Sequence, residues 1–187
     1  MPNPDYLDTA SADFAVNFET RLPALVAAWL ETLRTSLGIS ANILVDESED
    51  GSRASKPLPI IPNSWAVSWQ APCLVINVYE TTCGKLPQEL SGTISIELHN
   101  FTGDGGLGVI KENQIVTQLR RHLSVEFDKE GSFTKWLADQ SADRKNYQEL
   151  RLCKPSGTGI LMDADKHTRC RSTMISFVAF TDEFTPL

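Results

Sequence analysis

From Phe14 to Leu37 apolar residues return every three or four positions. Phe14, Phe18, Leu22, Leu25, Val26, Trp29, Leu30, Leu33 and Leu37 fall on one side of a helical wheel, so the spacing predicts a long amphipathic helix. Thr9 or Ser11 is placed to cap it, and Asp13 lies in its first turn, where the helix dipole favours a negative charge. Gly38 follows the last apolar position, as a helix stop should. Pro23 interrupts the pattern, and its missing amide hydrogen predicts a kink or the start of a second half. Met1 to Ala10 reads as an extended arm.

Beyond Gly38 the period shortens to two. Asn42-Ile43-Leu44-Val45 predicts a short strand, and Trp65-Ala66-Val67-Ser68-Trp69 alternates like a half-buried one. Between them, Asp46-Glu47-Ser48-Glu49-Asp50-Gly51-Ser52 is acidic and turn-rich, and Pro57, Pro59 and Pro62 punctuate the residues after it. The stretch 46–63 is therefore expected to be a long irregular excursion, either a solvated loop or one that orders against a neighbouring subunit. Cys73 to Glu80 is a β-branched run with the character of a central strand. Leu90 to Phe101 sets Ile94, Ile96 and Leu98 against Thr93, Ser95, Glu97 and His99. The short turn at Gly84 to Pro87 leaves no room for a crossover, so these two strands should pair antiparallel.

A glycine-rich loop, Thr102 to Gly108, leads into a second amphipathic helix. Ile110, Ile115, Val116, Leu119, Leu123 and Phe127 form its apolar stripe, and Arg120, Arg121 and His122 sit near its end to suit the dipole. Phe133 to Ala138 predicts a further helical turn. Leu150 to Cys153 and Met174 to Phe180 read as strands of a closing ribbon. Lys154 to Thr173 lies between them, with its turn near Asp163-Ala164-Asp165-Lys166. The fold class is α+β: a mainly antiparallel sheet packed by the long N-terminal helix and a second helix, and closed by a β-hairpin. One domain is expected over residues 1–187, with the arm 1–10 and the excursion 46–63.

Composition narrows the function classes. The 187 residues are 41% hydrophobic and 22% charged, as in an ordinary globular protein. Seventeen basic against 24 acidic residues leave a net charge of −7, which does not attract nucleic acid over a broad face. It suits solubility, or a surface that DNA passes without sticking. The N-terminus has no secretory pattern and no apolar run approaches a membrane span, so a cytoplasmic setting with reduced thiols is expected. Cys73, Cys83, Cys153 and Cys170 contain no Cys-x-x-Cys pair. Cys153 and Cys170 sit on either side of the predicted hairpin, which leaves room for them to lie close in space without being bonded.

No motif carries recognisable chemistry. Gly103, Gly105, Gly106 and Gly108 match neither a phosphate-binding loop nor a dinucleotide turn. Asp163-Ala164-Asp165 opens like a calcium loop, but Thr168 stands where its glycine belongs and no glutamate closes it. His99, His122 and His167 are scattered, and with four unpatterned cysteines they give no zinc spacing. A serine-hydrolase elbow is missing, and no carboxylate pair stands out for acid–base work. No catalytic, cofactor or metal residue is expected. Trp29 is assigned to the core, and Trp65 and Trp69 share one strand face, as core or as an anchor for a partner.

The arrangement of Phe14–Leu37, Cys73–Glu80 with Thr93–Phe101, Lys111–Phe127, and Leu150–Cys153 with Arg171–Thr181 resembles the phage tail terminator (tail completion) proteins and the related head–tail joining or neck proteins. The excursion 46–63 and an insertion over 128–146 depart from the compact form of that family. The resemblance implies a structural virion protein, not an enzyme. It would form a ring, commonly of six subunits, that caps the tail tube, ends its polymerisation and presents its other face to the head connector. It further implies assembly in the host cytoplasm, a place in the tail or neck of the virion, and DNA passing through the lumen without specific binding. Asp46, Glu47, Glu49, Asp50, Trp65 and Trp69 are the candidate interface or lumen residues, because arms, loops and open strand edges are natural material for ring contacts. Two other readings are another non-catalytic neck, minor tail or binding module, and a small α+β enzyme. The sign of an enzyme would be a deep polar pocket around His99, His122 or His167.

Overall fold

The computed structural model describes residues 18–40, 44–47, 53–62, 71–83, 89–101, 106–126, 129–140, 151–163 and 168–180. Along the chain come α1 (Phe18–Thr32), α2 (Arg34–Leu37), β1 (Leu44–Glu47), β2 (Arg53–Lys56), β3 (Ile60–Pro62), β4 (Cys73–Cys83) and β5 (Glu89–Phe101). They are followed by α3 (Val109–Leu123), α4 (Phe133–Gln140), β6 (Arg151–Asp163) and β7 (Thr168–Phe180). The fold is α+β, as the patterning predicts. Five strands form one sheet in the order β3-β4-β5-β7-β6, with every neighbouring pair antiparallel except β3–β4. β1 and β2 pair antiparallel as a separate two-stranded sheet.

The first helix passes through Pro23 without a break and is interrupted at Leu33 instead. Thr32 explains the position. Its hydroxyl donates to the Trp29 carbonyl at 2.6 Å, the acceptor that the Leu33 amide would use in a continuing α-helix. The Leu33 amide turns to Leu30 at 3.0 Å, a tighter turn, and α2 restarts from there. The expected stop at Gly38 is present. Gly38 adopts φ 71°, its amide donates to Thr35 and the Ile39 amide to Arg34, the paired bonds of a left-handed helix cap.

Alternation along the strands divides the sheet into two faces. On one, Leu74 and Ile76 of β4, Ile94, Ile96 and Leu98 of β5, and Ile175 and Phe177 of β7 are buried against the helices. α1 supplies Leu22, Leu25, Val26, Trp29 and Leu30, and α3 supplies Ile115, Val116, Leu119 and Leu123. Trp29 meets Phe133 of α4 edge-on at 5.7 Å. The loop before α3 is fixed by Asn100, whose side-chain oxygen accepts from the Leu107 amide at 2.7 Å and whose amide donates to the Leu107 carbonyl at 2.9 Å. Gly106 must be glycine in that close approach, because a Cβ there would stand 2.5 Å from the Phe101 carbonyl oxygen. Backbone proximity is thus a sufficient reason for this glycine, without a bound phosphate.

Two expectations about irregular chain are corrected. The excursion 46–63 contains the end of β1, all of β2 and all of β3. β1 lies two residues later than expected, so Asp46 and Glu47 are strand residues whose register partners are Ala54 and Arg53. The proline-punctuated part is built into the core. Leu58 is fully buried, its carbonyl accepts from Arg34 at 2.8 Å, and the Pro59 carbonyl accepts from the Leu74 amide at 2.8 Å. Likewise, most of Lys154 to Thr173 is paired strand, and Asp163 and Thr168 are register partners at its end, while the residues 164–167 of the expected turn lie outside the described residues. Pro155, Gly157 and Gly159 disguise β6 in the sequence. An outer strand tolerates them, and the register shifts on either side of Pro155 absorb its missing donor.

That register also sets Cys153 apart from Cys170, which the sequence left free to lie close together. Cys170 lies opposite Leu161, eight residues along β6 from Cys153, or about 26 Å at strand rise. α3 ends at Leu123, with Ser124 as its cap, rather than at Phe127. The arm 1–10, the capping residues Thr9, Ser11 and Asp13, the Trp65–Trp69 segment and the turn at 84–87 lie outside the described residues.

Candidate functional site

The sheet face turned away from the helices is polar. Register places Cys73, His99 and Cys170 in one cross-strand row, Val75, Glu97 and Ser172 in the next, then Asn77, Ser95 and Met174, and finally Tyr79, Thr93 and Ser176. Cys73, Val75, Asn77, Ser95 and Ser172 are buried, while Tyr79 and Met174 are exposed at the far end. Strand pleating alone therefore gathers a carboxylate, an imidazole and a thiol at one place. Glu97 and His99 are two residues apart on β5, and Cys170 stands directly opposite His99 on β7.

Hydrogen bonds join these groups into a chain. Ser172 and Ser95 share a hydrogen bond of 2.7 Å, and Ser95 donates to Glu97 Oε1 at 2.9 Å. Tyr79 also donates to Oε1, at 3.2 Å. The other carboxylate oxygen, Oε2, lies 3.0 Å from His99 Nε2, and that same nitrogen lies 3.7 Å from Cys170 Sγ. Burial works against ionisation of Glu97, but hydrogen bonds from His99, Ser95 and Tyr79 and the His99 charge outweigh it and hold the carboxyl below its usual value. Tyr79 moves the other way, raised by burial and by the Glu97 carboxylate. Burial, with the negative field of Glu97 and Cys73, pushes the Cys170 thiol up to about 12. Burial does the same to Cys73.

These directions bear on what the cluster can do. A nucleophilic cysteine needs a depressed thiol pKa and a histidine that offers opposite ring nitrogens to thiol and carboxylate. Here the thiol is held protonated, and a single nitrogen faces both neighbours. A cation is a better match to the geometry, because one oxygen, one nitrogen and one sulfur converge with all three atoms within 4.8 Å of one another.

Asp46 and Glu47 belong to β1, and Glu49, Asp50, Trp65 and Trp69 lie outside the described residues. Trp29 is core, as expected. The scattered histidines are only partly so in space: His99 has joined Glu97 and Cys170, whereas His122 lines a hollow with Trp29, Leu123, Ser132 and Phe133. That hollow has room for about one water molecule. His167 is outside the described residues. Glu97 and His99 are visible in the sequence as neighbours on one polar strand face. Cys170 is not, since its place depends on a pairing register set by a ribbon that sequence patterning cuts short.

Among the described residues no helix is long and apolar enough to cross a membrane. Comparison of the chain with models of known protein families and with curated proteins finds no match.

Proposed function

We propose that this chain is a structural assembly protein of the tail terminator or head–tail joining kind, acting as a ring of identical subunits. The observation that carries the reading is β6, a thirteen-residue strand at the outer edge of the sheet. Strands average about six residues, and a long open edge offers unpaired backbone donors and acceptors to another chain. Among the described residues no strand pairs with β6 on its outer side. A neighbouring copy would satisfy that edge, and a head-to-tail ring would satisfy it in every subunit.

Other features support the same reading. The order of a leading helix, antiparallel strands, a crossing helix and a closing ribbon is that of the family the sequence resembles. Val109 and Ile110, at the start of α3, are 58% and 77% exposed, which provides an apolar contact patch. The β1–β2 hairpin pairs apart from the main sheet, and Asp46 and Glu47 are among its strand residues. In this role the protein caps a tail tube, contacts the head connector and lets DNA pass an acidic lumen, with no bond made or broken. It works in the virion after assembling in the host cytoplasm.

Light scattering on the size-separated protein tests the ring. The expected mass is a closed multiple of the 20.7 kDa chain, six being the family's usual number, and the particle should cap purified tail tubes in electron micrographs. A chain that stays monomeric at high concentration and leaves tubes uncapped would rule the reading out.

A further inference from the structure

We propose that Glu97, His99 and Cys170 bind one divalent cation of the zinc class on the polar face of the sheet. The ligand atoms are Glu97 Oε2, His99 Nε2 and Cys170 Sγ. This set of one carboxylate, one imidazole and one thiolate selects against magnesium and calcium, which take oxygen ligands, and suits zinc and its neighbours in the first transition row.

Distances agree with that ligand set. Tetrahedral zinc, with bonds of about 2.05 Å to nitrogen and oxygen and 2.3 Å to sulfur, separates a nitrogen from an oxygen by about 3.3 Å and from a sulfur by about 3.6 Å. The observed separations are 3.0 Å from His99 Nε2 to Glu97 Oε2 and 3.7 Å to Cys170 Sγ. The two edges at His99 Nε2 thus need adjustments of a few tenths of an ångström, the Glu97 Oε2–Cys170 Sγ edge closes from within 4.8 Å towards about 3.6 Å, and a water fills the fourth position.

Charge and support also favour the cation. A carboxylate and a thiolate balance its two positive charges, and the Cys170 thiol passes its proton to solvent as sulfur takes the metal. Ser95 and Tyr79 bond to Glu97 Oε1, which leaves Oε2 turned towards the imidazole and supplies the outer hydrogen bonds that orient metal ligands. Glu97 and His99 side chains keep 16% of their surface exposed, so an ion can enter from solvent. Once bound, it would tie β5 to β7 across the middle of the sheet.

The test uses the full chain, stripped with a chelator and dialysed. Zinc is counted by elemental analysis after equilibrium dialysis, and cobalt(II) serves as a spectroscopic probe. The expected result is one zinc per chain, a cobalt spectrum of tetrahedral type and a near-ultraviolet thiolate-to-cobalt band. In Cys170→Ser the thiolate band disappears, and in His99→Gln zinc affinity falls by at least about tenfold, with circular dichroism unchanged. The proposal is overturned if the wild-type chain binds less than stoichiometric zinc or its cobalt complex lacks the thiolate band. It is equally overturned if a folded Cys170→Ser protein binds as tightly as wild type. Should either variant fail to fold, the wild-type stoichiometry and spectrum still decide.

Discussion

His122 closes the last turn of α3, where the helix dipole would favour its charged form, yet its pKa is lowered. Burial is the larger cause: the ring lines the hollow beside Trp29 and Phe133, and the Arg121 charge next to it adds to the effect. Linkage sets the sign of the consequence. The unfolded chain protonates this histidine near its ordinary value of about 6.5, whereas the folded chain resists until a lower pH. Its contribution is therefore undiminished above about pH 6.5 and falls as pH drops through that value, because the unfolded state binds the proton more readily. Urea midpoints at about pH 8 and about pH 5.5 should show a loss on acidification that is smaller in His122→Gln. Equal losses in the two proteins would mean that His122 titrates alike in both states.

At the scale of elements, α3 is fastened to the sheet by a buried charge. Glu112, in its first turn, keeps only 2% of its side chain exposed and pairs with Arg169 and Arg171 of β7, while accepting from Asn100 of β5 at 2.8 Å. Removing one partner of a buried pair strands the other, so Glu112→Ala should cost about 3 kcal/mol. The exposed pair Lys135–Asp139 on α4 is the comparison, and Lys135→Ala should cost about 0.5 kcal/mol or less. Denaturant titration of both variants checks the contrast, and similar losses would show that Glu112 does not anchor the helix. The elements that carry this contact are unevenly legible in sequence. α1, β4, β5 and α3 follow clean periods of 3.6 or 2, and Gly38 marks the helix end, because one buried face imposes the pattern directly. β6 escapes sequence patterning for the opposite reason: as an outer strand it accommodates Pro155 and two glycines that an inner strand would reject. The arginines of β7 show nothing either, since an alternating strand with charges facing its helix-covered side resembles a loop until the partner Glu112 is placed.

For the whole molecule, the net charge of −7 would make assembly of the proposed ring a contest between short-range contact and longer-range repulsion. At physiological salt the Debye length is about 8 Å, so charges within a hairpin's reach of the next subunit still count and more distant ones scarcely do. Asp46, Glu47, Glu49 and Asp50 are concentrated around the β1–β2 hairpin, where such proximity is most readily achieved if that hairpin faces a lumen or a neighbour. Converting all four to amides should change the stability of the single chain by within about 0.5 kcal/mol, the usual range for surface substitutions. Its effect on association should be larger and should depend on salt. Wild-type assembly is expected to strengthen as added salt screens like charges, whereas the amide variant should assemble more readily at low salt and respond less to screening. Light scattering across a salt series reads both slopes. If the two slopes coincide while both proteins form the same particle, the hairpin faces neither a lumen nor a neighbour, and the contacts of the proposed ring must be sought along β6 and at the exposed start of α3.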